Sequence, residues 1–185
     1  MAIAAPKPHL WTRAEYDQVI AAGGFDPEAR LELIDGEIID MPPQRSRHAT
    51  AIQLAEQVFR AVFPPGYSVR TQLPLALDDI SEPEPDLAVV RGKPRDYCNA
   101  HPTTALLILE VAESSLDFDR GRKLRLYARN GILDYWILDL TSEAIEVYRQ
   151  PTGDRYTDTA ILTRGQRLAP LAAPDAAIAV IDLLP

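Results

Sequence analysis

The stretch Ala105-Leu106-Leu107-Ile108-Leu109-Glu110-Val111 decides the fold. Its run from Ala105 to Leu109 is apolar on both faces, which implies a central strand covered from both sides. The run then meets a carboxylate. Upstream, Glu84-Pro85-Asp86-Leu87-Ala88-Val89-Val90 puts a second carboxylate at the start of another apolar strand, Asp86 to Val90. A polar loop from Arg91 to Thr104, with Pro94 and Pro102, separates the two strands. Downstream, Asp117 to Asn130 reads as a helix with Gly131 at its C′ position, and Tyr135 to Leu138 as the next strand.

Further out, Thr12-Arg13-Ala14-Glu15 is a capping box opening a short helix that Gly23-Gly24 stops. Leu31 to Met41 forms two strands around Asp35-Gly36, a strong hairpin signal. Ser46 to Phe63 is an amphipathic helix. Ile52, Ala55, Phe59 and Val62 share one face, and Pro64-Pro65 ends it. Tyr67 to Leu77 reads as one or two strands before an Asp78-Asp79 turn. Ala144 to Tyr148 and Arg155 to Leu162 add two more, and the tail from Ala177 ends in a short apolar stretch. Strands interleaved with two good helices give an α/β domain, a mixed sheet flanked by helices.

At 185 residues, and roughly 150 residues per domain, one domain over 1–185 is expected, with residues 1–11 as a flexible N-terminal arm. The composition, 46% apolar and 25% charged, excludes wholesale disorder, collagen and coiled coil. Cys98 is the only cysteine, so an intrachain disulfide and a cysteine-rich zinc site are both excluded, in keeping with a reducing cytoplasm. Ala2-Ile3-Ala4-Ala5 before Pro6 is too short for a signal peptide core, and no apolar run reaches the length of a membrane span. The net charge of −8 argues against a general polyanion binder: nucleic-acid contact would need a local basic patch or a metal ion.

The chemistry-bearing candidates begin with Asp86 and Glu110. An ionised carboxylate on a buried strand is costly unless paired. A hard divalent cation is one partner and an arginine at a sheet edge is another. Around them, Arg120, Arg122, Lys123, Arg125 and Arg129 are five basic residues between positions 120 and 129, with no acid among them. The arginines could contact phosphate and Lys123 could stabilise a transition state, or the segment could be a solvated face with an Asp119–Lys123 pair. Glu32 projects from the first hairpin opposite Leu31 and Leu33, and His48 lies in the first turn of the long helix. A Gly-rich phosphate loop, a G-x-S-x-G elbow and zinc-like histidine spacing are all absent.

The ordered set Leu31-Glu32-Leu33-Ile34-Asp35-Gly36-Glu37, His48 at a helix start, Pro85-Asp86, Glu110-Val111-Ala112-Glu113-Ser114-Ser115, Asp119-Arg120-Gly121-x-Lys123-Leu124-x-Leu126-Tyr127-Ala128-Arg129 and Tyr135-Trp136-Ile137-Leu138-Asp139 resembles the Uma family. That family groups bacterial proteins classed with restriction endonucleases, within the PD-(D/E)-x-K nuclease superfamily. The resemblance runs from about Thr12 to Leu184. It implies a restriction-endonuclease-like fold and metal-dependent cleavage of phosphodiester bonds, in DNA above all. It implies Mg²⁺ or Mn²⁺ held by Asp86, Glu110 and the backbone carbonyl of Val111. Glu32 and His48 would assist at the catalytic centre, and Arg120, Arg122 and Arg125 would contact nucleic acid. The superfamily lysine two residues after the second acid is here Ala112, and Lys123 on the next helix matches its replacement. A homodimer would suit two-strand cleavage. The alternative is a non-catalytic binding or assembly module that retains the nuclease fold. A two-carboxylate glycosidase would need an aromatic-lined cleft, and Trp136, one of two Trp, is a strand residue.

Overall fold

A computed structural model describes residues 7–185. Residues 1–6 of the expected arm, with the apolar stretch Ala2–Ala5, lie outside the described part. The arm's end is tied down, with the Trp11 N–H donating to the Gly36 carbonyl at 2.8 Å.

Helix α1 (Arg13–Ala21) starts at the Thr12–Glu15 capping box. Strands β1 (Leu31–Ile34) and β2 (Glu37–Asp40) form an antiparallel hairpin. Its turn residues Asp35 and Gly36 have φ of 55° and 74°, the left-handed pair that a two-residue hairpin turn of this hand requires. Helix α2 (Ser46–Val62) follows, then β3 (Tyr67–Thr71), β4 (Leu87–Arg91) and β5 (Leu107–Ala112). The expected strand from Tyr67 stops at Thr71, where Gln72 takes a φ of 50° and the chain leaves the ladder.

After β5 the chain crosses over through α3 (Leu116–Phe118), a π-helical turn (Asp119–Lys123) and α4 (Leu124–Arg129). The continuous α-helix expected there is therefore interrupted: five residues adopt the wider i→i+5 winding, a feature frequent at functional sites. Strands β6 (Asp134–Asp139), β7 (Ala144–Thr152) and β8 (Arg155–Thr163) complete a six-stranded sheet in the order β3-β4-β5-β6-β7-β8. Only β5 and β6 run parallel, so this pair alone needs the helical crossover. A two-residue pair, β9 (Arg167–Leu168) with β10 (Ile178–Ala179), closes the C-terminal region. Two-residue strands are too short to leave a periodic signal in the sequence.

The mixed sheet is covered on both faces. On one side Ile52, Ala55 and Phe59 of α2 pack against Leu87, Val89, Leu107, Leu109 and Trp136. On the other, Leu126 and Tyr127 of α4 and Ile34 of β1 pack against Ala88, Ile108, Tyr135 and Ile137. This is the double burial implied by the apolar run at Ala105–Leu109. Among the described residues no helix is long and apolar enough to cross a membrane.

Candidate active site

Strand alternation places the two central acids. Leu109 and Val111 face α2, while Ile108 and Ala112 face α4, so Glu110 projects toward α4. Asp86 precedes β4 with the parity of Ala88, and the register Leu87↔Leu109 sets it beside Glu110. The Val111 N–H donates to Asp86 Oδ2 at 2.8 Å, and the Asp86 N–H lies 3.4 Å from Glu110 Oε2.

Lys123 enters from the π turn. Its ammonium donates to Glu110 Oε1 at 3.0 Å and to Glu32 Oε1 of β1 at 3.2 Å. One turn later, the Tyr127 hydroxyl donates to the same Glu110 oxygen at 2.6 Å. Asp86 Oδ1 is held at 3.2 Å by both the His48 Nε2 of α2 and the Gln72 amide. Asp119, at the start of the π turn, accepts from the Ser115 hydroxyl at 2.6 Å. Glu32, Asp86, Glu110, Asp119 and Lys123 are each at most 7% exposed and line a common cavity of about 170 Å³.

Four buried carboxylates thus face one ammonium. Burial pushes the Glu110 carboxyl up to about 8, against the pull of Lys123, with Asp119, Asp86 and Glu32 adding to the rise. Burial likewise lifts Asp119 to about 6. Burial alone would lower Lys123, but Glu110, Glu32, Asp119 and Asp86 outweigh it and hold the ammonium charged well above its ordinary range. Burial, then the negative charge of Glu110, raises the Tyr127 hydroxyl, so it remains a donor.

The donor set suits a hard divalent cation. The ligand atoms available are carboxylate oxygens, and Glu32 Oε2 is buried without a hydrogen-bond partner. Among the described residues no group of three or more His, Cys, Asp or Glu side chains is placed to hold a metal ion by itself. Mg²⁺ takes as few as one or two protein carboxylates and fills the rest of its shell with water and substrate oxygens, so Asp86 and Glu110 are the residues that would hold it.

The other expected site residues lie elsewhere or act otherwise. Val111 lines the cavity, but its contact with the acids is through its N–H. Arg120 is paired with Glu146, while Arg122 binds Glu37 at 2.6 Å and the Ile34 carbonyl at 2.6 Å. Arg125 is exposed and has no ion-pair partner among the described residues. None of these three arginines lines the cavity. Tyr127, Asp119 and Gln72 were not among the expected site residues. The first two carried a signal in their spacing of four from Lys123. Gln72 carried none, because its place depends on the break after β3.

A restriction-endonuclease-like architecture with an acid–lysine cavity beside the β4–β5 pair is the class these features define. Residues 13–181 match the Uma2 family, described as "Putative restriction endonuclease", and the chain belongs to that family. Its fold is similar to that of the crystal structure of "a putative nuclease belonging to DUF820" from Anabaena variabilis ATCC 29413. The TM-score is 0.73 at 18% identity, over 93% of this chain and 96% of that one. No curated protein matches the sequence.

Proposed function

We propose that the chain is a divalent-metal-dependent endonuclease that hydrolyses phosphodiester bonds in DNA. The observation that carries this reading is the convergence of Glu32, Asp86, Glu110 and Lys123, from four separate segments, on one cavity with an unpartnered carboxylate oxygen. Asp86 and Glu110 would hold Mg²⁺ or Mn²⁺, with Glu32 as a further ligand or water acceptor. When bound, the ion would acidify a water and offset charge on the scissile phosphate.

The chain's own groups supply the rest. His48, Gln72 and the Val111 N–H fix the Asp86 carboxylate. Tyr127 occupies one Glu110 oxygen and turns the other toward Asp86. Lys123 stands where it can steady negative charge on a phosphate. Hydrolysis forms one P–O bond to the water oxygen and breaks one ester P–O bond, the leaving oxygen taking up a proton. A homodimer in a reducing cytoplasm would place two such cavities on a duplex.

The test is a Mn²⁺ titration followed by electron paramagnetic resonance, on wild type and Asp86→Ala, with DNA cleavage scored in parallel. Binding and cleavage lost together in the variant support the reading. A second reading, a non-catalytic module that keeps the fold, is favoured by one observation: Lys123 already bridges Glu110 and Glu32. Wild type that binds no Mn²⁺ even with DNA present would establish that reading instead.

A further inference from the structure

The cavity wall holds more acid than base, and a polyanionic substrate must still enter it. Besides Lys123, the cationic or titratable bases on this wall are Arg30, Arg45 and His48. Lys123 is locked between Glu110 and Glu32, and His48 is on Asp86. Arg45 is exposed and has no ion-pair partner among the described residues. Arg30 makes no ion pair among the described residues: it donates to the Pro42 carbonyl at 3.2 Å, and its charge acts on the nearby Glu84 carboxylate, which also lines the cavity. Beside them, Gln44 Nε2 is buried with no hydrogen-bond partner, a donor that lacks an acceptor.

These three residues converge through one lip of the cavity, Met41-Pro42-Pro43-Gln44-Arg45, which links β2 to α2. Two prolines fix their φ angles, and Arg30 ties the lip to the start of β1, its side chain donating to the Pro42 carbonyl and its own carbonyl accepting from the Met41 N–H at 2.8 Å. The opposite lip, Glu113-Ser114-Ser115, carries an acid. Glu84 offsets the charge of Arg30, so Arg45 is the cation left for a phosphate on this wall. On the basic helix, Arg120, Arg122 and Arg129 are each bound to carboxylates outside the cavity, and Arg125, exposed and without an ion-pair partner among the described residues, does not line it.

Resting on the nuclease reading above, we infer that Arg45, Gln44 and Arg30 form the subsite for a backbone phosphate next to the scissile one. Arg45 supplies the charge, Gln44 the neutral donor, and Arg30 the support of the lip.

The experiment is fluorescence anisotropy of a labelled 20-base-pair duplex with Ca²⁺ as the cation, over a series of salt concentrations. It compares wild type with Arg45→Ala, Arg45→Lys, Gln44→Leu, Arg125→Ala and Arg155→Ala. The expected result is binding about five- to tenfold weaker for Arg45→Ala, with a log–log salt slope lower by about 1. Arg45→Lys keeps the slope, because it keeps the charge. Gln44→Leu weakens binding about threefold without changing the slope. Arg155→Ala, at the far end of the sheet, matches wild type. Wild-type affinity in Arg45→Ala, or a slope change confined to Arg125→Ala, overturns the inference while leaving the nuclease reading intact. A wild type that does not bind the duplex at all overturns the nuclease reading, and the subsite falls with it.

Discussion

Two sets of basic side chains leave the same crossover helix and meet opposite environments. Lys123 is 1% exposed and points into the cavity, where four carboxylates surround it. Arg122 and Arg129 stay at the surface, paired with Glu37 and Asp35, while Arg120 reaches from the surface to the buried Glu146. The charge is the same in both sets, but the dielectric surroundings differ. Surface pairs gain little because water competes and salt screens them. A buried cation among acids cannot be removed without leaving uncompensated charge. Location, more than the local excess of basic residues, separates the candidate site from the scaffold.

The largest effect expected from this contrast is at Lys123. Replacement by Met should destabilise the metal-free protein by about 3–5 kcal/mol, because Glu32 and Glu110 lose their common partner. Urea unfolding measures this. Saturating Mg²⁺ should restore part of the loss if the cavity accepts a cation, since a ligand bound only to the folded state stabilises it by mass action. A loss below about 1 kcal/mol would place Lys123 with the surface arginines. Next in size, Asp86→Ala and Glu110→Ala should each lower Mn²⁺ affinity by at least about a hundredfold. Glu110→Gln should retain the fold better, since it keeps an acceptor for Tyr127 and Lys123.

The contrast also shows what the residues disclose on their own. The central strand is legible because no loop or amphipathic element tolerates five apolar residues from Ala105 to Leu109 followed by a single acid. Asp86 and Glu110 stand out for the same reason: a charge attached to a buried strand requires a partner. The site beside them is less legible. Five basic residues between 120 and 129 differ little in type, and periodicity does not say which one turns inward. The π turn at Asp119–Lys123 shifts the phase of the helix just where that choice is made. The arginines were therefore expected on phosphate, whereas two of the three are bound to the chain itself. Gln72 reaches Asp86 only because the chain takes a left-handed φ after β3, a tertiary outcome with no trace in local pattern.

Titration sharpens the comparison, because the surface pairs should be indifferent to pH near neutrality and the cavity should not. Glu110 is lifted to about 8 and Asp119 to about 6, both above their ordinary values. Over pH 5–8 the folded chain therefore holds protons that the unfolded chain has released. Stability is fully present at low pH in this range and falls as pH rises. The slope approaches about 1.4 kcal/mol per pH unit for one such proton. Metal-free unfolding free energies at pH 5, 6.5 and 8 should show this decline. Glu110→Gln should flatten it, whereas Arg122→Ala should leave it unchanged. Mg²⁺ should counter the decline, since it competes with those protons and binds more tightly as they leave.

A smaller effect is expected at Tyr127, whose hydroxyl holds one oxygen of Glu110. Tyr127→Phe keeps the ring packed against Tyr135 and removes only that donor. Mn²⁺ affinity should fall about tenfold, the usual range for a group that orients a metal ligand. The variant should remain folded, with a stability loss of about 1 kcal/mol.

The smallest effect belongs to the surface partner in the comparison. Arg122 binds Glu37 and the Ile34 carbonyl, so it fastens the hairpin that carries Glu32. Its guanidinium is partly solvated, and its ion pair contributes no more than about 1 kcal/mol. Arg122→Ala should therefore unfold at nearly the wild-type urea concentration and bind DNA with an unchanged salt slope. Mn²⁺ affinity should fall less than threefold, since β1 is also held by its pairing with β2 and by the Leu33 carbonyl, which accepts from the Glu82 N–H at 2.7 Å. A salt slope lowered by about 1 in Arg122→Ala would mean that this arginine exchanges Glu37 for phosphate when DNA binds. The crossover helix would then carry a phosphate contact on its outer face as well as a buried charge within.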